Sequence, residues 1–238
     1  MTAAAAPADE RIARGMRIQL DLRRRRIASG ATPVGWKVGF GAPAAMAKFA
    51  ITAPLVGFML DRNVVASGDT VSLAGWTKPV AEPEIAVEMR DDLPGGATPA
   101  AAAAAIGALG PAIELADVEI PPEEVVTILA GNIFHRHVVF GPRDRARAGG
   151  RIDGLNARVR RNGTLHAETT ELEANTGNLV DIVRHVADLL AACGERLAAG
   201  DVIIAGSVVA PIFLGPDDRA IDFAIDPLGS VAVRFAVP

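Results

Sequence analysis

Ile12, Met16, Leu20, Leu22 and Ile27 recur at helical spacing among charged residues, which predicts an amphipathic helix over residues 10–29 ended by Gly30. Beyond it the period shortens. Gly35 to Phe40, Val71 to Ala74, Val80 to Met89 and Ala112 to Val118 are bounded by Gly, Pro and Asp and read as strands. Met46 to Ala50 reads as a short helix or turn, and Asp91 to Gly96 as a turn. The alanine-rich run Pro99 to Leu109 predicts a packed helix, because alanine has the best helix propensity. Leu155 to Arg161 and Leu165 to Thr169 predict a hairpin closed by Asn162-Gly163. Asn178 to Leu197 carries Leu179, Ile182, Val183, Val186, Leu189 and Leu190 on one helical face. Val202 to Ala205 and the alternating Ser230 to Phe235 close the chain as strands. Strands outnumber helices without a regular βα alternation. The expected class is therefore α+β, a mixed, curled sheet with flanking helices, in one domain over 1–238 with 1–30 as tail and N-terminal helix.

Composition narrows the function. The 238 residues are half hydrophobic, yet no run of about 18 apolar residues escapes a charge or breaker, so no membrane span is expected. The opening Met1 to Pro7 lacks a basic segment before its alanines and reads as a tail rather than a signal peptide. Cys193 is the single cysteine, which rules out an intramolecular disulfide and leaves a cytoplasmic location as the expectation. A net charge of −4 argues against a nucleic-acid partner. The run Arg23 to Arg26 continues the first helix and reads as its solvated face. A small-molecule partner remains.

Two segments carry candidate chemistry. Glu82-Pro83-Glu84 lies inside a strand, where residues two apart share a face, so both carboxylates project together and call for a shared proton or a cation. Pro83 cannot donate to a ladder, which places it at an edge, a bulge or a cavity rim. Glu114 stands alone in the apolar stretch Pro111 to Ala116, where an ionised carboxylate is costly without a partner. Three converging carboxylates would suit Mg²⁺ or Mn²⁺. By themselves these residues keep another reading open: a Glu-x-Glu pair is more often a solvated strand face, and Glu88 falls on that face too. Lys37, in Gly35-Trp36-Lys37-Val38-Gly39, is one of three lysines. Its apolar setting suits proton transfer, against a snorkelling surface lysine as the alternative. His135 and His137, two apart in a strand, have like-facing spacing, and lining a pocket mouth is the lesser of the readings open to them; His166 and His185 are expected on the surface, and Cys193 in packing.

In this order, Gly35-Trp36-Lys37-Val38-Gly39, Glu82-Pro83-Glu84-Ile85-Ala86, Pro111 to Asp117, Gly200 to Ser207 and Leu228 to Phe235 resemble the 2-oxopent-4-enoate hydratase and 4-oxalocrotonate decarboxylase family of the fumarylacetoacetate hydrolase superfamily. The resemblance covers roughly residues 11–237. It implies a β-rich roll with flanking helices, with Glu82, Glu84 and Glu114 as metal ligands for Mg²⁺ or Mn²⁺. It implies that Lys37 faces the substrate, that Asp61 stands near an acidic residue of proton transfer, and that Ser207 lies beside the substrate pocket. The implied activity is a lyase of aromatic-compound degradation, a hydratase adding water to a 2-hydroxy-2,4-dienoate. Alternatives are a 4-oxalocrotonate decarboxylase, an acylpyruvate-type C–C hydrolase, and a non-catalytic partner subunit. A homo-oligomer, in some cases with a decarboxylase or hydratase partner, is expected. Two segments depart from the family pattern: Gly39-Phe40-Gly41-Ala42, often Gly-Leu-Thr-Ser, and Ala130 to His137, commonly rich in Asp, Asn, Ala and Ser.

Overall fold

A computed structural model describes residues 7–119 and 124–236. The expected tail thus lies mostly outside the described residues. Helix α1 (Glu10–Ala28) opens on Asp9, whose carboxylate accepts from the Arg11 N–H as an N-cap. Then follow β1 (Pro33–Gly39), α2 (Pro43–Phe49), β2 (Leu55–Leu60), β3 (Val64–Val65), β4 (Thr70–Val71), β5 (Pro79–Met89), α3 (Pro99–Ala105), β6 (Ile106–Asp117), α4 (Val125–Ala130) and β7 (His135–Phe140). The chain continues through β8 (Asn156–Arg161), β9 (Thr164–Thr169), α5 (Leu179–Ala192), β10 (Val202–Ser207), β11 (Ile212–Phe213), β12 (Ala220–Asp226) and β13 (Gly229–Phe235).

The strands form two sheets. The larger is ordered β2-β1-β10-β5-β6-β7-β3, with β11 on β5; the smaller is ordered β4-β13-β12-β8-β9. β1 runs parallel to β10 and β3 to β7, while β5 is antiparallel to both β6 and β10, so the large sheet is mixed. It curls into a half-barrel, as the α+β expectation had it. Ile113 and Leu115 on its outer face share one core with Phe223, Val231 and Val233 of the small sheet. Side chains of the opposite parity line the inner face. There Met59, Ala86, Ala112, Val138, Val202 and Ile204 make a second, small apolar cluster.

Several elements differ from expectation. The helix expected over Pro99 to Leu109 stops at Ala105, and residues 106–117 form a twelve-residue strand. Gly107, Gly110 and Pro111 are poor helix residues, and β6 is the full-length partner of β5. A side chain at Gly110 would also meet the Pro142 carbonyl at 2.2 Å. Helix α5 ends at Ala192 rather than Leu197, because Gly194 adopts a left-handed φ of 76° that stops it. Asn162 and Gly163 both have positive φ, the pair a type I′ hairpin turn requires. The arginine run is only partly solvated: the Arg23 guanidinium covers the Trp36 ring at 4.8 Å and that of Arg26 the Phe58 ring at 5.7 Å.

Candidate metal centre

β5 and β6 are registered so that Glu82 faces Glu114 directly and Glu84 faces Ala112. With the period of two, all three carboxylates project from the inner face of the curl. One oxygen from each lies within 4.8 Å of the others. β5 is an interior strand, and Pro83 sits where its pairing breaks: β10 shifts register between Ile204 and Ser207, and β11 takes over at Ala81. There the Pro83 carbonyl accepts from the Val208 N–H at 2.9 Å and the Ser207 hydroxyl at 3.3 Å.

Glu84 and Glu114 are fully buried, and Glu82 keeps a partial opening to a cavity. Glu114 Oε1 accepts from Lys37 Nζ at 2.5 Å and from His135 Nδ1 at 2.7 Å. Lys37 donates a second bond to the Ile133 carbonyl at 3.2 Å. Glu84 Oε2 accepts from the Gly206 N–H at 2.6 Å. The other oxygens, Glu84 Oε1 and Glu114 Oε2, are buried with no hydrogen-bond partner among the described residues. Such orphaned acceptors are costly, and a cation is what would satisfy them. A 4.8 Å spread is about twice a Mg²⁺–oxygen or Ca²⁺–oxygen bond, so the donor set fits a hard divalent ion with small side-chain adjustment.

The electrostatics agree. Burial, then the charge of Glu114, pushes Glu82 up to about 7. Burial and the charges of Glu114 and Glu82 raise Glu84 well above the ordinary glutamate range. Burial also works to raise Glu114, but the Lys37 ammonium and the His135 hydrogen bond outweigh it and hold this carboxyl below its ordinary value. Burial lowers the His135 pKa, so a neutral ring donating from Nδ1 fits the Glu114 contact.

A cavity of about 520 Å³ opens over this group, lined by Lys37, Glu82 and Ser207 among others. Asp61 is not among its lining residues. It begins a surface turn after β2, where its carboxylate accepts from the Thr32 N–H at 2.9 Å and the Arg62 N–H at 2.8 Å. β2 pairs with β1 so that Asp61 lies beyond Pro33 while Lys37 pairs with Gly57, several residues along the ladder. The pairing carries Asp61 away from the carboxylates. The two histidines also part company. A register shift in β7 sets His135 opposite Ala116 and His137 opposite Leu115, so His135 turns inward and His137 stacks on Trp76 at 6.0 Å. His166 is exposed as expected, whereas His185 is half-buried with Nε2 2.8 Å from the Pro54 carbonyl oxygen. Cys193 packs against the main core.

Sequence reasoning did not foresee His135 as a partner of Glu114, nor the conformation of the segment before it. Asn132, Ile133 and Phe134 all adopt left-handed backbone, with φ of 56°, 52° and 62°. For residues other than glycine this costs roughly 1–2 kcal/mol each. Asn132 holds the turn by clamping β2: its Oδ1 accepts from the Phe58 N–H at 2.8 Å and its Nδ2 donates to the Phe58 carbonyl at 2.9 Å.

The model of the fumarylacetoacetate (FAA) hydrolase C-terminal family matches residues 36–236. The chain belongs to the FAA hydrolase family. Within it, the chain is 30% identical over 224 residues to a 4-oxalocrotonate decarboxylase of Pseudomonas putida, covering 92% of this chain and 83% of that enzyme. It is 29% identical over 223 residues to a 2-hydroxyhexa-2,4-dienoate hydratase of Comamonas testosteroni, covering 92% and 84%. Among solved structures, it superposes on the 4-oxalocrotonate decarboxylase from Pseudomonas putida G7 complexed with magnesium and adipate with a TM-score of 0.85 at 28% identity, over 94% of this chain and 86% of that one. A fumarylpyruvate hydrolase from Pseudomonas aeruginosa in complex with Mn²⁺ and pyruvate shares the FAA hydrolase fold at a TM-score of 0.65 and 15% identity, over 85% and 89%. Among the described residues, no helix is long and apolar enough to cross a membrane.

Proposed function

We propose that this protein is a divalent-metal-dependent lyase of small 2-oxo acids, a hydratase that adds water to a 2-hydroxy-2,4-dienoate to give a 4-hydroxy-2-oxo acid. The observation that carries this reading is the trio Glu82, Glu84 and Glu114, with two buried oxygens lacking partners among the described residues, beneath a cavity that Glu82 and Lys37 line. Hydratases and magnesium- or manganese-bound structures among the relatives support it.

The three glutamates would hold Mg²⁺ or Mn²⁺, which when bound supplies Lewis-acid polarisation of a 2-oxo group. The rest of the chemistry belongs to side chains. Lys37 Nζ, fixed by Glu114 and the Ile133 carbonyl, holds a proton at the cavity floor and exchanges it with the substrate as dienol and keto forms interconvert. Ser207, at the break in β10, lines the cavity and would donate to the polar end of the substrate by turning its hydroxyl away from the Pro83 carbonyl. Asp61 has no place in this scheme.

A second reading, decarboxylation of 4-oxalocrotonate, is favoured by the 4-oxalocrotonate decarboxylases among the relatives. The same floor would then stabilise the electrons released with CO₂. Incubation with Mg²⁺ and each substrate separates the readings by product: a hydroxy-oxo acid for the hydratase, CO₂ for the decarboxylase, two acids for a C–C hydrolase. No product from any substrate, with no Mg²⁺ or Mn²⁺ binding by calorimetry, would instead favour a non-catalytic subunit.

A further inference from the structure

Above its polar floor the cavity is built mostly from apolar side chains, with Lys78, Asn175 and Thr176 interspersed. Of the described residues lining it, only Lys37, Glu82 and Lys78 are charged. Lys37 is engaged by Glu114 and the Ile133 carbonyl, and Glu82 belongs to the carboxylate trio. Lys78 is exposed at the rim, its ammonium 4.6 Å from the centre of the Phe213 ring. The wall nearest the floor comes from the left-handed turn. Ile133 and Phe134 line the cavity yet are only 3% and 7% exposed. The neighbouring Gly39 leaves the Ile133 side chain room that a Cβ would take, since that atom would lie 3.0 Å from Ile133 Cγ2. Two bulky apolar residues are held there at a cost in backbone strain, which marks the position as one with a task.

We infer that this wall selects 2-oxo acids whose far end is apolar, and that Ile133 and Phe134 set the preference. The inference rests on the site reading above and adds the class of substrate tail. The polar floor accounts for the carboxylate and the 2-oxo oxygen. A volume of about 520 Å³ leaves room well beyond a five-carbon acid, and what faces that room is mostly hydrocarbon, with Lys78, Asn175 and Thr176 as the polar exceptions. An alkyl or aryl tail gains there about fourfold in affinity for each methylene it buries. A second carboxylate, brought against the same wall without a partner, loses its hydration instead.

Calorimetric titration of the Mg²⁺-loaded protein with 2-oxobutanoate, 2-oxohexanoate and 2-oxoadipate tests this. 2-Oxohexanoate should bind about fifteenfold tighter than 2-oxobutanoate, and 2-oxoadipate at least tenfold weaker than 2-oxohexanoate. Phe134→Ser should bring the first ratio towards one, with the Mg²⁺ isotherm and a thermal melt reporting whether the variant folds. The wild-type series decides the matter even if it does not. Equal or tighter binding of 2-oxoadipate would overturn the inference and make Lys78 the anchor of a distal carboxylate. Failure of all three acids to bind in the presence of Mg²⁺ would instead remove the site reading itself, and this inference with it.

Discussion

Lys37 Nζ lies 2.5 Å from Glu114 Oε1, and both side chains are closed to solvent. The two residues belong to β1 and β6, with β10 and β5 between them in the sheet. Three interstrand steps put their backbones roughly 14 Å apart on a flat sheet. Curling of the sheet brings the two side chains within reach across its inner face. The ion pair therefore ties the shape of the half-barrel to the charge state of the candidate metal centre.

Removing the lysine should expose both functions. In Lys37→Met the buried Glu114 loses its cation, and breaking a buried pair by removing one partner costs about 3–5 kcal/mol. The metal-free variant should melt some 10 °C or more below the parent. Mg²⁺ should recover part of that loss, because a divalent ion replaces the missing positive charge. Turnover should fall at least a hundredfold even when the metal is bound. A variant that melts like the parent without metal would contradict the pairing.

The stability of the metal-free protein should depend on pH with a defined sign. Glu82 titrates near 7 in the folded protein against about 4.5 when free of its surroundings. The folded chain therefore binds the proton more tightly, and its stability falls as pH rises through that window, by up to about 3 kcal/mol. Glu84 is raised as well and acts in the same direction. Mg²⁺ favours the ionised carboxylates and should reverse the trend. Melting temperatures from pH 5 to 8, with and without Mg²⁺, check this. A metal-free profile unchanged by Glu82→Gln would refute the assignment.

Glu84→Ala takes away one of the three oxygen donors and the acceptor of the Gly206 N–H. Loss of an anionic ligand should weaken Mg²⁺ binding at least a hundredfold by calorimetry and abolish turnover at millimolar Mg²⁺. Circular dichroism should stay that of the parent, since the alanine fills less space in a region already walled by Ala86 and Ala112. Parent-like Mg²⁺ affinity in this variant would place the ion elsewhere.

How much of this could be read along the chain depended on range. The shared face of Glu82 and Glu84 follows from strand periodicity, and the hairpin turn at Asn162-Gly163 from local backbone preference. The meeting of Glu114 with Glu82 needs register, a long-range property that only the family pattern anticipated. The start of β6 is hidden because Ala100 to Ala105 favours helix while the partnership with β5 decides residues 106–117. β12 alternates Ile221, Phe223 and Ile225 in the core against Asp222 and Ala224, a period-two pattern legible in the sequence. The left-handed turn at 132–134 is signalled only at its first residue, since Asn tolerates positive φ, whereas Ile133 and Phe134 give no sign of it.

Asp61 supplies the sharpest contrast between chain order and space. A motif-based reading puts it near the proton-transfer step, whereas its carboxylate is taken up by the Thr32 and Arg62 N–H groups in a surface turn. Those hydrogen bonds favour the ionised form and hold its pKa below the ordinary aspartate value. A general acid or base working near neutrality needs the opposite tuning. Asp61→Asn keeps the shape and one acceptor oxygen while removing the charge. It should leave kcat and KM within about twofold of the parent and lower the melting temperature slightly through the loosened turn. A loss of kcat beyond a hundredfold, with the melt unchanged, would return Asp61 to the catalytic group and require a conformation that carries the turn to the cavity.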